Sequence, residues 1–279
     1  MAILQVSFLS ETLHRTVPLA VILPTDKMVL PGMPRRNPNK PFKTLYLLHG
    51  MLGSCNDWLY GTRIQRWAEE RDLAVVMPSG ENSMYLDLSV DRYGAFIGEE
   101  LVDFTRRSFP LSHDRADTYI GGLSMGGFGA MRNGLKYRDT FSAILSLSGS
   151  FILNQSILTP VAHPIFIMET EAFRRQVFGA DYQGAIHSDR NPETLVKALS
   201  AAGAAFPEIY MACGKHDFLL QENLNFHQLL LDAGVRHTFE LGDGAHDWDF
   251  WDTYLQKALD FLPLEGVHAG CGSGNIPRD

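Results

Sequence analysis

Thr118-Tyr-Ile-Gly-Gly-Leu-Ser124-Met-Gly-Gly127 decides the reading of this chain. An apolar run that ends in Gly122-Leu-Ser-Met-Gly126 predicts a β-strand, a G-x-S-x-G turn and then a helix. Such a turn pushes one serine onto a strained, exposed corner. The glycines at 122 and 126 are needed because strand and helix approach each other closely there. Ser124 would stand at a helix N-terminus, where free N–H groups and the helix dipole favour developing negative charge. The plain alternative is a tight turn with a helix-capping serine, and the surrounding chain has to decide between the two.

Outward from this turn, apolar runs alternate with helical periodicity. Ile3 to Leu9 and His14 to Leu23 read as two antiparallel opening strands, followed by a turn rich in proline (Pro31, Pro34, Pro38, Pro41). Thr44–Leu48 and Leu73–Met77 are short continuous apolar runs, the pattern of strands covered on both faces. Trp58, Ile64 and Trp67 fall on a helix between them, and Ala95 to Ser108 reads as a second helix. After Ser124, Phe128, Met131 and Leu135 recur at helical spacing. Phe141–Leu147, Glu208–Cys213 and His237–Leu241 are further strands, with helices over Leu219–Ala233 and from Trp248 to Leu262. This alternation predicts an α/β fold with a mostly parallel central sheet flanked by helices and antiparallel N-terminal strands. Residues 1–264 are expected to form one domain. Within it, about 151–204 is irregular and is expected as a small cap-like insertion over one edge of the sheet. Residues 265–279 are expected to be a flexible Gly-rich tail.

In a parallel sheet, ligands bind at the carboxyl ends of the strands, so each partner of Ser124 should sit just after a strand. A serine hydroxyl is a weak nucleophile without an adjacent base, and in this architecture the order is serine, acid, histidine. The strand Glu208–Cys213 runs into Gly214-Lys-His-Asp217, and the last strand runs into Gly242-Asp-Gly-Ala-His246. Asp217 is the candidate acid and His246 the candidate base. Asp247 and Asp249 are competing acids, but their place at a helix start suits capping better. The oxyanion hole needs two backbone donors. Met125 supplies one, and the loop His49-Gly-Met-Leu-Gly53 after a buried strand supplies the other, from Met51 or, as the lesser choice, Leu52.

With 24 basic against 32 acidic side chains the formal net charge is −8, with no basic stripe, which argues against a nucleic-acid partner. Cys55, Cys213 and Cys271 have neither disulfide-framework nor zinc spacing, and no metal is expected. No apolar run reaches spanning length, so no membrane partner is expected. The N-terminus lacks a basic leader region, and a cytoplasmic location is the expectation.

Four elements together, His49-Gly-Met-Leu-Gly53, Gly121-Gly-Leu-Ser124-Met-Gly-Gly-Phe-Gly-Ala130, Cys213-Gly-Lys-His-Asp217-Phe-Leu219 and Gly244-Ala-His246-Asp-Trp-Asp-Phe-Trp251-Asp252, resemble the esterase D-like branch of the α/β-hydrolases. The bacterial tributyrin esterases are the nearest likeness, and it runs from about Ile3 to Leu262. The resemblance implies an α/β-hydrolase fold, carboxylesterase action on short-chain acyl esters, no cofactor, a small-molecule ester partner and frequent homo-oligomers. Gly80-Glu-Asn-Ser-Met-Tyr85-Leu-Asp87 resembles a family loop near the active site, which makes Ser83 and Tyr85 candidate substrate contacts beside Leu52. The alternatives are an S-formylglutathione hydrolase, a feruloyl or acetylxylan esterase, and a catalytically silent hydrolase-fold binding module.

Overall fold

The computed structural model describes residues 1–29, 31, 36–160 and 169–265. Pro34, Cys271 and the expected tail from residue 266 lie outside the described residues. Eight strands form one sheet in the order β1-β2-β4-β3-β5-β6-β7-β8. They are β1 (Ala2–Ser10), β2 (Arg15–Leu23), β3 (Lys43–Leu48), β4 (Leu73–Pro78), β5 (Thr118–Leu123), β6 (Ala143–Leu147), β7 (Glu208–Gly214) and β8 (Thr238–Gly242). β1 and β2 pair antiparallel, and β2 joins β4 antiparallel. From β4 through β8 every pairing is parallel. Each of the eight strands read from the sequence is present, displaced by at most two residues at an end.

The helices are α1 (Asp57–Gly61), α2 (Ile64–Glu70), α3 (Tyr93–Ala95), α4 (Leu101–Ser108), α5 (Met125–Lys136), α6 (Leu153–Leu158), α7 (Glu171–Phe178), α8 (Pro192–Ala201), α9 (Leu220–Asp232) and α10 (Trp248–Phe261). A wide π-type stretch, Phe96–Glu100, joins α3 to α4, so the helix expected at Ala95 begins at Tyr93. Among the described residues, no helix is long and apolar enough to cross a membrane.

The period of two along each strand divides the core into two layers. Leu45 and Leu47 of β3 and Val75 of β4 pack with Trp58, Ile64, Trp67, Trp251, Leu255 and Leu259 from α1, α2 and α10. Tyr46 and Leu48 of β3 and Val76 of β4 pack on the other face with Leu101, Phe128, Val196, Phe226 and Leu230 from α4, α5, α8 and α9. Because both faces are covered, β3 to β6 read as unbroken apolar runs, whereas the edge strand β1 alternates.

The described residues of the 151–204 region pack against the helices on one face of the sheet. α8 packs on α5 and α9, and Phe173, Val177, Phe178, Ala185 and Val196 belong to the same buried cluster as Phe128. Its elements are short, so no periodic run is long enough to stand out in the sequence.

A buried guanidinium fastens this region to α5. Arg132 is fully buried and donates to the Asp189 carbonyl at 2.9 Å and to the carboxylates of Asp87 at 3.2 Å and Asp189 at 3.1 Å. Lys136 Nζ joins both carboxylates, at 3.2 Å and 2.7 Å. Burial by itself would raise the two carboxyls. Arg132 and Lys136, with the Ala95 N–H at Asp87, more than offset it and hold both below the ordinary carboxylate range. Arg132→Met removes the buried cation and leaves the two partly exposed carboxylates to Lys136 alone; it should cost about 1–3 kcal/mol in chemical denaturation. The two carboxyls contribute stability that is complete above the unfolded value of about 3.9 and is lost as pH falls through their lower folded values. Denaturation curves across that acid range should therefore show a smaller pH-dependent loss in Arg132→Met than in the parent.

Candidate active site

Ser124 joins β5 to α5 with φ 53° and ψ −118°, a region L-residues rarely occupy. The corner survives because the glycines on either side have no Cβ. One at Gly126 would press into the Leu48 carbonyl oxygen and lie 2.7 Å from that of His49. One at Gly122 would strike the Gly126 carbonyl. Backbone bonds hold the corner from β6: the Ser124 N–H donates to Leu147 O at 2.9 Å, and Ser124 O accepts from the Ser150 N–H at 3.0 Å.

The sheet register brings the other groups to the same side. β3 pairs Leu48 with Gly122, β5 pairs Leu123 with Leu147, and β7 pairs Gly214 with Gly242. The loops after β7 and β8 thus lie side by side, tied by the His216 N–H donating to Gly244 O at 3.0 Å. Asp217 sits in the first loop and His246 in the second, just before Asp247, which caps α10 by accepting from the Phe250 N–H at 2.9 Å.

The three side chains meet. His246 Nδ1 lies 2.9 Å and 3.0 Å from the two Asp217 carboxylate oxygens, and His246 Nε2 lies 3.0 Å from Ser124 Oγ. The Asp217 side chain is fully buried and that of His246 is 16% exposed, so the carboxylate works out of water while the imidazole still reaches solvent. A carboxylate accepts only, so Nδ1 carries the hydrogen and Nε2 keeps its lone pair toward the serine. Burial pushes the Asp217 carboxyl up. Hydrogen bonds from His246, the Leu219 N–H and Ser148 outweigh that and hold it below the ordinary range, as an anion. Phe218 and Trp251 flank the imidazole, with ring centroids at 4.5 Å and 4.9 Å. A hydroxyl on one imidazole nitrogen and a buried carboxylate on the other form an arrangement that can deprotonate the hydroxyl and stabilise the resulting imidazolium.

Met125 N–H is the first of α5 and has no partner within the helix. Met51 N–H likewise has no acceptor among the described residues. Leu52 N–H, the alternative donor, is committed to Asn82 Oδ1 at 2.8 Å. Its side chain is 87% exposed on a backbone with φ 65°. The loop is bolted in place by His49, whose Nε2 accepts from the Gly80 N–H at 2.8 Å while Nδ1 donates to Gly50 O at 2.6 Å. Burial lowers the His49 pKa, so this second histidine is held neutral and spent on structure.

One of the expected substrate contacts needs correction. Tyr85 is fully buried, its hydroxyl donates to His49 O at 3.0 Å, and its ring backs onto Gly80 and Gly129. It is a strut under the loop after β3, out of reach of a substrate. Ser83 Oγ donates to Gly80 O at 2.6 Å and accepts from the Tyr85 N–H at 3.0 Å, which closes a local turn.

Several residues at the site escape a reading from sequence. Ser150 Oγ is 3.2 Å from Ser124 Oγ. Asn223 clamps Gly149, donating to its carbonyl at 2.9 Å and accepting from its N–H at 3.1 Å. Ser148, at φ 49°, accepts from Trp251 Nε1 at 3.1 Å. Ser-x-Ser after a strand was the one available signal, and it has no distinctive chemistry by itself.

The fold and site define a serine esterase built on the α/β-hydrolase fold. Residues 10–262 match the Esterase family, and the chain belongs to it. An acetyl esterase of Caldicellulosiruptor saccharolyticus is 41% identical over 273 residues, covering 94% of this chain and 98% of that protein. Among solved structures, the substrate-bound fluorophosphonate-binding serine hydrolase FphF of Staphylococcus aureus matches with TM-score 0.80 and 31% identity, covering 94% of this chain and 98% of that one. An S-formylglutathione hydrolase, FrmB, from the same organism matches with TM-score 0.78 and 30% identity over the same shares.

Tyr85→Phe should cost about 1 kcal/mol of stability, the worth of one buried hydrogen bond. It should leave KM for p-nitrophenyl acetate unchanged; a raised KM would return Tyr85 to the substrate.

Proposed function

We propose that this esterase hydrolyses short-chain acyl esters, with Ser124 as nucleophile, His246 as general base and acid, Asp217 as the orienting carboxylate, and the Met51 and Met125 N–H groups as oxyanion donors. The observation that carries the reading is the continuous contact from Asp217 through both nitrogens of His246 to Ser124 Oγ. His246 takes the Ser124 proton as Oγ attacks the ester carbonyl. The two N–H groups hold the oxyanion. His246 then gives the proton to the departing alcohol, and in the second half activates the water that releases the acid. No step calls for a cofactor.

The short acyl preference, with tributyrin-type esters in range, is supported by the likeness to an acetyl esterase along nearly the whole of both chains. A homo-oligomer belongs to the same proposal, with family resemblance as its support and light scattering as its check. The likeness to an S-formylglutathione hydrolase is the specific ground for a second reading, hydrolysis of that thioester.

Ser124→Ala should lower kcat for p-nitrophenyl acetate by at least about 10³-fold with the circular dichroism spectrum unchanged. Asp217→Asn should cost on the order of 10⁴ in kcat, while Asp249→Asn should not. In a series of p-nitrophenyl esters run beside S-formylglutathione and methyl ferulate, kcat/KM should be highest between acetyl and butyryl. A larger value for either of the other two substrates would replace the short-chain reading.

A further inference from the structure

Among the described residues, Ser124 Oγ has two side-chain hydrogen-bond partners, His246 Nε2 at 3.0 Å and Ser150 Oγ at 3.2 Å. Ser150 is itself buried, and its N–H is bonded to Ser124 O at 3.0 Å, so the second hydroxyl is held against the first. Asp217 fixes the hydrogen of His246 on Nδ1, which leaves Nε2 able only to accept. Ser124 therefore donates its one hydrogen to His246. The bond between the two hydroxyls then has a single polarity, with Ser150 donating and Ser124 Oγ accepting.

From this geometry we infer that Ser150 is a further catalytic residue, which favours release of the acyl group from Ser124 over its capture. The inference rests on the nucleophile assignment above. In acylation the Ser124 Oγ–C bond forms, the C–O bond to the alcohol breaks, and the proton passes from Oγ through His246 Nε2 to the alcohol. In deacylation a water oxygen bonds to the carbonyl carbon, the Oγ–C bond breaks, and the water proton passes through His246 back to Oγ. The oxygen of an ester link is a poorer acceptor than a hydroxyl or developing alkoxide oxygen. Ser150 thus bonds strongly to Ser124 Oγ in the free enzyme and weakly in the acyl-enzyme. It lowers the free energy of the state that deacylation produces and acylation consumes, so its hydroxyl should speed the second half-reaction relative to the first.

The test is transient kinetics on p-nitrophenyl acetate with Ser150→Ala and Ser150→Thr, the latter keeping the hydroxyl. In Ser150→Ala, kcat should fall roughly 2- to 10-fold, the range of one hydrogen bond, while kcat/KM, which reports acylation, stays within about twofold. The steady-state fraction of acetylated enzyme, read by acid quench and peptide mass spectrometry, should rise. Ser150→Thr should bring both quantities back toward the parent. A loss that is equal in kcat and kcat/KM would mark Ser150 as a packing residue and overturn the inference, as would unchanged acetyl-enzyme occupancy. A fluorophosphonate probe separates the two layers of argument. Failure to label Ser124 in the parent overturns the nucleophile assignment and this inference together. Labelling of Ser124 with unaltered partition in Ser150→Ala overturns this inference alone.

Discussion

The closeness of the first turn of α5 to the end of β3 is the constraint on which the site depends. Gly126 lies against the Leu48 and His49 carbonyls with no room for a Cβ. That approach holds Ser124 in its strained corner and puts the loop after β3 beside the helix N-terminus. Ser124, the start of α5 and the His49–Gly50 end of the loop after β3 are therefore brought together by one packing contact. A side chain at Gly126 would push the helix off the strand and disturb all three at once. Strain of about 1–3 kcal/mol in a non-glycine residue at positive φ persists only where the surroundings over-determine it; here β6 supplies the bond to the Ser124 N–H and the loop after it the bond to the Ser124 carbonyl.

Two histidines near this corner show how environment assigns chemistry to one residue type. His49 has both ring nitrogens satisfied by backbone groups, and burial lowers its pKa, so it is a neutral brace. His246 has a carboxylate on one nitrogen and a hydroxyl on the other, with its ring between Phe218 and Trp251. Only the second arrangement can take up a proton and stabilise the cation that results.

The braces extend well away from the reacting atoms. Tyr85 supports the loop after β3 from below, Asn82 takes the Leu52 N–H, and Asn223 clamps Gly149 beside Ser150. Arg132, on the helix that follows the serine, ties α5 to the loop carrying Asp87 and to the 151–204 region through Asp189. The segment that reads as irregular in sequence is thus fastened to the helix after Ser124 by an ion cluster built on the buried Arg132. Polar groups deep in a fold are costly unless fully partnered, and this network partners each of its members.

The amino-acid sequence by itself determined where the strands lie along the chain, because strands covered on both faces must be continuous apolar runs and glycines must stand where a helix meets a strand. It also placed Ser124, Asp217 and His246 at carboxyl ends of strands, which is why those residues were legible before any coordinates. Tertiary structure alone decided that the Leu52 N–H is spent on Asn82, some thirty residues away along the chain. It alone turned Tyr85 from a candidate substrate contact into a buried strut, and brought Ser150 against Ser124. It also packed α8 against α5 and α9. Periodicity and spacing report the face an element buries and where it ends. They carry no information on which loop ends touch, because those contacts arise between residues far apart in sequence and are settled only when the sheet register closes.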